Sequence, residues 1–166
     1  MTKPVSSLLS AVLGMFGFFL GGCVPNEPNE LDKLGTVGLS IKGQAFELWI
    51  ADESDEQLKG LMFVTSEQMA KLSNGTERGM IFAFDQEQSG SFWMRNTIIP
   101  LDIAYIDSTG KVIKMYTMAP LDERYNQYPP GAPYKFTIEV TANRFGELGL
   151  QTGDQVVIPA NLLKRR

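Results

Sequence analysis

Short stretches in which apolar and polar residues alternate, separated by turn signals, run through most of this 166-residue chain. The first two stretches, Val37 to Ile41 and Phe46 to Ile50, flank Lys42-Gly43 and therefore predict a β-hairpin. Many short strands with few helices are typical of sandwiches and barrels. The fold class that we predict is mainly β, a compact antiparallel β-sandwich or barrel with one or two short helices. Further strands are predicted over 79–84, 111–118, 134–141 and 154–158 and at both ends of 91–107, and the candidate helical stretches are 54–61, 66–72 and 142–148.

The first 22 residues have the layout of a secretory signal peptide. They combine a charged start at Lys3, an apolar run from Leu8 to Leu20 and small residues before Cys23. The ending LGGC resembles the lipobox of bacterial lipoproteins, in which the cysteine is lipidated and becomes the mature N-terminus. We therefore expect a membrane anchor through lipid on Cys23. A plain signal anchor or an ordinary secretory peptide is the alternative.

The segment after Cys23 is rich in Pro, Asn and Glu and contains little that could be buried, so a disordered tether is expected there. The predicted organisation is a signal peptide over 1–22, a tether over 23–35 and a single β-rich domain over 36–166. Val24 differs from the aspartate that is associated with retention of lipoproteins in the inner membrane. Resemblance to that class implies the periplasmic face of the outer membrane if the host is diderm.

Histidine is absent from the chain, which excludes Ser-His-Asp and Cys-His catalysis and histidine metal sites. Cys23 is the only cysteine, so its lipidation would leave the domain with neither a disulfide nor a catalytic thiol. The formal charge is −4 and the body of the chain has no basic stripe, so no nucleic-acid partner is expected. We predict no cofactor and no metal, and an enzyme of this composition would have to use carboxylates, tyrosines or lysines.

The stretch from Ser91 to Asp107 concentrates polar side chains at the junction of two predicted strands. Consecutive cationic, amide and hydroxyl side chains at 95–97 are followed by Asp102 within an apolar run. Two interpretations stay open: a tight connection whose polar groups bond their own backbone, or a corner that faces a ligand. The ligand-binding residues predicted for such a corner are Trp93, Asn96, Thr97, Asp102 and Glu139.

Five motifs between 36 and 159 resemble, in their order, the domain-of-unknown-function 192 family. They are GLM at 60–62, GMIF at 79–82, FWMRNT at 92–97, PLDI at 100–103 and IEV at 138–140. The resemblance implies a compact, jelly-roll-like β-domain, often exported, and it implies no reaction and no catalytic residue. The usual Arg-Gly-Leu-Met opening of the family has Lys59 in place of arginine here, so a guanidinium is missing at that point.

Two carboxylates are the weak catalytic candidates. Asp102 and Glu139 each face away from the apolar residues of their own strand, and in a shared cleft they could act as acid and base. Solvated surface positions are the alternative. A hydrolase would need the two groups to converge.

Two further sets of side chains could bind a ligand. An aromatic and polar set suits a sugar or small polar ligand, with core packing as the alternative. A methionine set could bind Cu(I), although methionine more often fills gaps in a core. The first set is Trp93, Asn96, Thr97, Tyr105 and Tyr134, and the second is Met62, Met80, Met94, Met115 and Met118.

The function that the sequence favours is a lipid-anchored domain of the cell envelope that acts as a small-ligand-binding or accessory module. Its partners would be the membrane, through Cys23, and a small polar ligand or another envelope protein. The alternatives are a carboxylate-dependent hydrolase that uses Asp102 and Glu139, and copper binding by methionine.

Overall fold

The computed structural model of the protein describes residues 29–124 and 126–163. The predicted signal peptide, Cys23 and residues 24–28 of the predicted tether lie outside the described residues. Residues 29–35 of the predicted tether are ordered on the domain instead, because Leu31 is buried in its core. Within the described part, no helix is both long and apolar enough to cross a membrane.

The described chain forms one mixed β-sheet with six strands, in the spatial order β1-β2-β3-β6-β4-β5. All neighbouring pairs are antiparallel except β2 and β3, which are parallel. Parallel pairing is possible because the connection between these strands, 52–76, is long enough for a crossover. The strands are β1 (Thr36–Ile41), β2 (Gln44–Ala51), β3 (Glu77–Gln88), β4 (Leu101–Ile106), β5 (Val112–Met118) and β6 (Tyr134–Thr141). The helices are α1 (Ser54–Lys59), α2 (Arg144–Glu147) and α3 (Ala160–Leu163), and a 3-10 turn covers Leu31–Lys33.

The predicted mainly-β class is confirmed. The structure differs from the predicted sandwich or barrel in how the strands are arranged. The sheet is not closed into a barrel, and all six strands belong to one layer instead of two. The predicted hairpin is β1 and β2, and β6 has the predicted bounds. The turn at Lys42-Gly43 has positive φ at both residues, as a two-residue hairpin turn requires.

Three predicted elements are not formed. The 154–158 stretch makes a single bridge, between Gln155 and Lys111, and no strand. The 66–72 stretch is a series of turns and not a helix. Residues 93–100 contain no strand, and Phe92 makes only an isolated bridge with Tyr128. In each case the apolar residues pack onto the sheet without pairing their backbone along it.

Both faces of the sheet are covered by other parts of the chain. One face packs against Phe145, Leu150 and the residues that follow them to Leu162, and we call it the C-terminal face. The other packs against the crossover around 61–69, the corner at 92–99 and Tyr128, and we call it the loop face. Six consecutive positions of β4 are buried as a result, which is the pattern of a strand with two covered faces.

Gly79 lets β3 and β6 approach each other closely beside the predicted site. A Cβ atom at this position would clash with the backbone oxygen of Glu139, and it would lie 2.9 Å from a methyl group of Leu48. Only glycine fits without a shift of the strand. The glycine of the GMIF motif therefore has a steric role in the sheet.

Candidate functional site

Glu139 lies near the centre of the sheet and points to the loop face. Its neighbours along β6, Ile138 and Val140, belong to the core of the C-terminal face, and alternation turns Glu139 the other way. Its register partners are Met80 on β3 and Ile103 on β4, both fully buried in the loop-face core. The side chain is 4% exposed, so a carboxyl group is held among apolar neighbours.

A narrow cleft connects Glu139 to the surface. Its volume is about 30 Å³. Trp93 lies at its mouth with 41% of its surface exposed, and the guanidinium of Arg95 lies 5.7 Å from the centre of the Trp93 ring. The GLM motif forms one side of the cleft directly after α1. The lining residues are Gln57, Lys59, Gly60, Leu61, Met62, Phe82, Phe92, Trp93, Thr97 and Glu139.

The Glu139 carboxyl has no hydrogen-bond partner among the described residues, and burial alone raises its pKa, to about 8. Burial penalises the carboxylate because it loses its hydration, and no nearby cation offsets that loss. At neutral pH the group is therefore mainly a neutral carboxylic acid. Buried, unpaired carboxyl groups with shifted pKa values are enriched at functional sites.

The corner next to the cleft is built from backbone in unusual conformations. Asn96 and Phe63 have φ of 56° and 61°, and the N–H of Phe63 donates a 2.8 Å hydrogen bond to the carbonyl of Asn96. Leu121, with φ of 58°, donates its N–H to the carbonyl of Thr97 at 2.9 Å. Left-handed backbone is costly for residues with a branched or bulky side chain and persists where the surroundings enforce it.

Thr97 and Asn96 have different roles in this corner. Thr97 is buried and lines the cleft, and its hydroxyl makes only a long 3.4 Å hydrogen bond to the carbonyl of Arg95. Asn96 does not line the cleft, and its amide lies 3.9 Å from the sulfur of Met62, which does. Of the five predicted ligand-binding residues, the structure brings Trp93, Thr97 and Glu139 together in one cleft.

Asp102 points to the C-terminal face, away from the cleft. Its register partner on β6 is Val140, whose side chain belongs to that core. One carboxylate oxygen accepts hydrogen bonds from the Thr117 hydroxyl at 2.6 Å and the Asn143 N–H at 2.9 Å. The other accepts the Phe145 N–H at 2.9 Å. Asp102 thus fixes the start of α2, and the sheet separates it from Glu139.

This placement separates the two carboxylates that a hydrolase would have to use together. Asp102 and Glu139 occupy opposite faces of adjacent strands, so no substrate could contact both. Glu139 faces away from Ile138 and Val140 of its strand as predicted, whereas Asp102 shares its face with the apolar Ala104 and Ile106. The acid and base arrangement that we considered does not form.

Tyr105 and Tyr134 belong to an aromatic cluster in the core of the loop face. The Tyr105 hydroxyl donates to the carbonyl of Tyr128 at 2.6 Å and accepts the N–H of Phe92 at 3.1 Å. The Tyr134 hydroxyl donates to the carbonyl of Gly90 at 3.0 Å, and burial raises the pKa of Tyr134 to about 12. Both hydroxyls hold loops against the sheet, and neither residue lines the cleft.

The five methionines do not form one cluster. Met80, Met94 and Met118 are buried in the loop-face core, and Met62 lines the cleft. Met115 packs against the C-terminal face. Over residues 29–124 and 126–163, no group of three acidic, cysteine or histidine side chains could hold a metal ion.

Sequence reasoning missed Thr137 and most of the cleft wall. Thr137 is fully buried, and its hydroxyl has no hydrogen-bond partner within the described part of the chain. It lies two residues before Glu139 on the same strand and therefore on the same face. The alternation of side chains along β6 already predicts that Thr137 and Glu139 share a face. Gln57, Phe82 and Phe92 carry no local signal that places them beside Glu139.

A larger, open groove of about 670 Å³ lies on the other side of the crossover. Trp49 lies in its wall, with the guanidinium of Arg78 5.0 Å from the centre of the Trp49 ring. The charged side chains that line this groove are exposed or partly exposed. Because it contains no buried, unpaired polar group, we place the candidate site at Glu139.

The family model for DUF192, described as an uncharacterized ACR, matches residues 37–158. The chain belongs to the DUF192 family. The match spans all of β2 to β6 and therefore every residue that lines the cleft. No curated protein matches the chain.

Two solved structures resemble this DUF192 domain. A protein of unknown function from Novosphingobium aromaticivorans is 31% identical, with a TM-score of 0.65, over 80% of this chain and 91% of that one. A putative transcription regulator from Sinorhizobium meliloti is 26% identical, with a TM-score of 0.59, over 74% of this chain and 90% of that one. Neither description names a ligand or a reaction.

We predict that Asp102→Ala destabilises the domain. The substitution leaves the buried N–H of Phe145 and the partly buried N–H of Asn143 without their acceptor, at a cost of roughly 1–3 kcal/mol for the buried group. Urea unfolding of the soluble domain would measure this loss. Asp85→Ala, at an exposed position of β3, is the control and should change the free energy of unfolding little. An Asp102 variant as stable as the wild type would contradict the structural role.

We predict that Glu139→Gln changes how stability depends on pH. The pKa of Glu139 is about 8 in the folded protein, above the ordinary 4.5 of a glutamate, so the unfolded chain ionises first as pH rises. The wild type should therefore lose stability relative to the variant between about pH 4.5 and 8, by at most roughly 1.4 kcal/mol per pH unit. Below and above that window the difference in unfolding free energy between wild type and variant should be constant. If this difference does not change between pH 4 and 9, the carboxyl is not desolvated in the folded protein.

Proposed function

We propose that this DUF192 domain is a small-ligand-binding module of the cell envelope, anchored to the membrane by lipid on Cys23. The ligand enters the cleft beside Trp93 and places a polar group against Glu139. The observation that carries the proposal is the buried Glu139 carboxyl, which has no partner among the described residues and opens onto a cleft.

The energetic argument concerns what satisfies Glu139. A buried polar group without a hydrogen bond costs about 1–3 kcal/mol, and chains usually remove such costs by providing a partner. Asp102, one strand away, has three donors. Glu139 has none in the described part of the chain, yet the cleft leads from it to the surface. A ligand group in the cleft would supply the missing partner.

A binding module agrees with this geometry better than the alternatives do. The hydrolase needs two converging carboxylates, and Asp102 lies on the other face of the sheet from Glu139. Copper binding by the full methionine set would need Met115 on the same side as the others, and it packs on the C-terminal face. Met80, Met94 and Met118 share the loop face, where all three are fully buried core residues. A role in transcription, suggested by the description of the Sinorhizobium meliloti protein, has little electrostatic support, since 19 acidic residues outnumber 15 basic ones.

We predict that small polar compounds which enter the cleft change the fluorescence of Trp93. The probes are alcohols, amides, sugars and amines at millimolar concentration, added to the soluble domain. Trp93→Phe should remove the response, because the remaining Trp49 is buried in the wall of another groove. Glu139→Leu should weaken binding by about tenfold or more, equivalent to about 1.4 kcal/mol. If no probe alters Trp93 in the wild type, the cleft is not a binding site.

We predict that Cys23→Ser releases the protein from the membrane fraction. The lipobox-like ending at Cys23 and the apolar run before it motivate the substitution. Without lipid the domain keeps no strong membrane attachment, so the variant should appear in the soluble fraction. Wild-type protein should incorporate a labelled fatty acid, and the variant should not. A variant that still fractionates with membranes, alongside unlabelled wild type, would refute lipid anchoring.

A further inference from the structure

We infer that the group bound in the cleft is a primary ammonium on an unbranched alkyl stem, with the ammonium paired to Glu139 and the stem along Trp93. This inference rests on the proposed ligand-binding function and deepens it by naming the ligand class. The ligand is a cation of narrow cross-section, as in an alkylamine or the head of an aminoalkyl compound.

The size of the cleft selects a small head group. A volume of about 30 Å³ is enough for one or two groups as large as a water molecule. An ammonium or a hydroxyl group fits such a space. A sugar ring, a guanidinium or a quaternary ammonium needs more room than a volume of about 30 Å³ provides, so the predicted sugar ligand is disfavoured as the occupant of the inner end.

The walls of the cleft select an apolar stem. Phe82, Phe92 and Met62 line the same cleft as Glu139, and Trp93 is the exposed ring of its wall. Methylene groups pack well against rings and thioethers, whereas a polar stem would lose its hydration there. Aromatic rings also attract a cation that passes along them.

The charge of the inner end selects a cation over an anion. Glu139 is the acidic residue among those that line the cleft. Its carboxyl receives no hydrogen bond from the described residues, and a carboxylate in a low-dielectric site gains most from a charged donor. An anionic ligand would be repelled by the carboxylate, and a neutral O–H or N–H donor would bind it more weakly than a charged donor does.

Three other titratable groups stand near Glu139. Tyr105 on β4 is neutral at every relevant pH, because burial raises its pKa far above the ordinary value. Lys59, just after α1, lines the same cleft, and Arg95 lies over the Trp93 ring. Neither cation lowers the pKa of Glu139, whose shift has burial as its only cause. Within the described residues no cation lowers the pKa of the Glu139 carboxyl, so a cation from outside could pair with it.

The charge state of Glu139 gives an amine and an alcohol opposite pH dependences. An ammonium binds the carboxylate, so its binding is linked to loss of a proton from Glu139, whose pKa is about 8 in the domain. Amine affinity should rise about tenfold per pH unit below that pKa and then level off, while the amine itself stays charged up to about pH 10. An alcohol that accepts a hydrogen bond from the carboxylic acid should instead bind more weakly as pH rises.

The test is a matched pair of probes, n-butylammonium and n-butanol, titrated into the wild-type domain from pH 6 to 9 with Trp93 fluorescence as the readout. We expect n-butylammonium to bind, with an affinity that rises with pH, and n-butanol to bind at least tenfold more weakly at pH 8. Tetramethylammonium and guanidinium should not compete. In Glu139→Gln, a near-isosteric change, n-butylammonium binding should be lost at every pH from 6 to 9.

The outcomes separate the two proposals. Binding of n-butanol in preference to n-butylammonium, or amine affinity that falls with pH, would overturn the ammonium assignment and leave a binding cleft. Retention of amine binding in Glu139→Gln would overturn it as well. If neither probe nor any other small polar compound alters Trp93, both proposals fail. The pH series uses wild-type protein, so it decides the question even if Glu139→Gln does not fold.

Discussion

Burial of β6 on both faces is the constraint on which the rest of this domain depends. The strand lies between β3 and β4, its odd and even positions pack into two separate cores, and five consecutive residues from Phe136 to Val140 are buried. No polar side chain in that segment can reach solvent simply by pointing outward. Thr137 and Glu139 therefore have to be satisfied inside the protein, through a cleft, or not at all.

Asp102 and Glu139 are buried carboxyl groups on adjacent strands, and they differ in the hydrogen-bond donors that surround them. Asp102 faces the start of α2, where backbone N–H groups have no partner within a helix, and it accepts two of them. Glu139 faces the rings and thioethers of the loop face, which offer it no donor. The first carboxylate accepts three hydrogen bonds and fixes the start of α2 against the sheet. The second is kept neutral and carries a cost that folding alone does not explain.

Much of the strand pattern could be predicted because periodicity is a local property. The β1–β2 hairpin and the bounds of β6 follow from alternation and turn residues. Alternation also predicts that Glu139 opposes the apolar residues of its strand. It does not say whether the opposite face is solvent or a second core, because that depends on the 61–69 crossover and the 92–99 corner. For this reason the sequence placed both carboxylates in a cleft, whereas in the structure Asp102 faces the other core and does not line the cleft.

Other features depend on contacts between distant segments and have no local signal. The parallel pairing of β2 with β3 requires the crossover to fold back over the sheet. The 154–158 stretch has the apolar pattern of a strand, but it covers the C-terminal face by side-chain packing, and its backbone makes one bridge. The cleft likewise combines residues from α1, β3, the corner and β6. Of these, only the corner was evident from its concentration of polar residues.

The corner is held rigidly before any ligand arrives, and this bears on how the cleft can work. Phe63, Asn96 and Leu121 all have left-handed backbone, and hydrogen bonds tie Phe63 to Asn96 and Leu121 to Thr97. Strained conformations that support one another in this way leave few alternatives to the observed one. A ligand that enters along Trp93 would then meet a wall already in its final shape and would spend little free energy on ordering it. The cost of burying Glu139 and the strain of the corner are both borne by the fold, so a ligand of the proposed cleft would find its site preorganised.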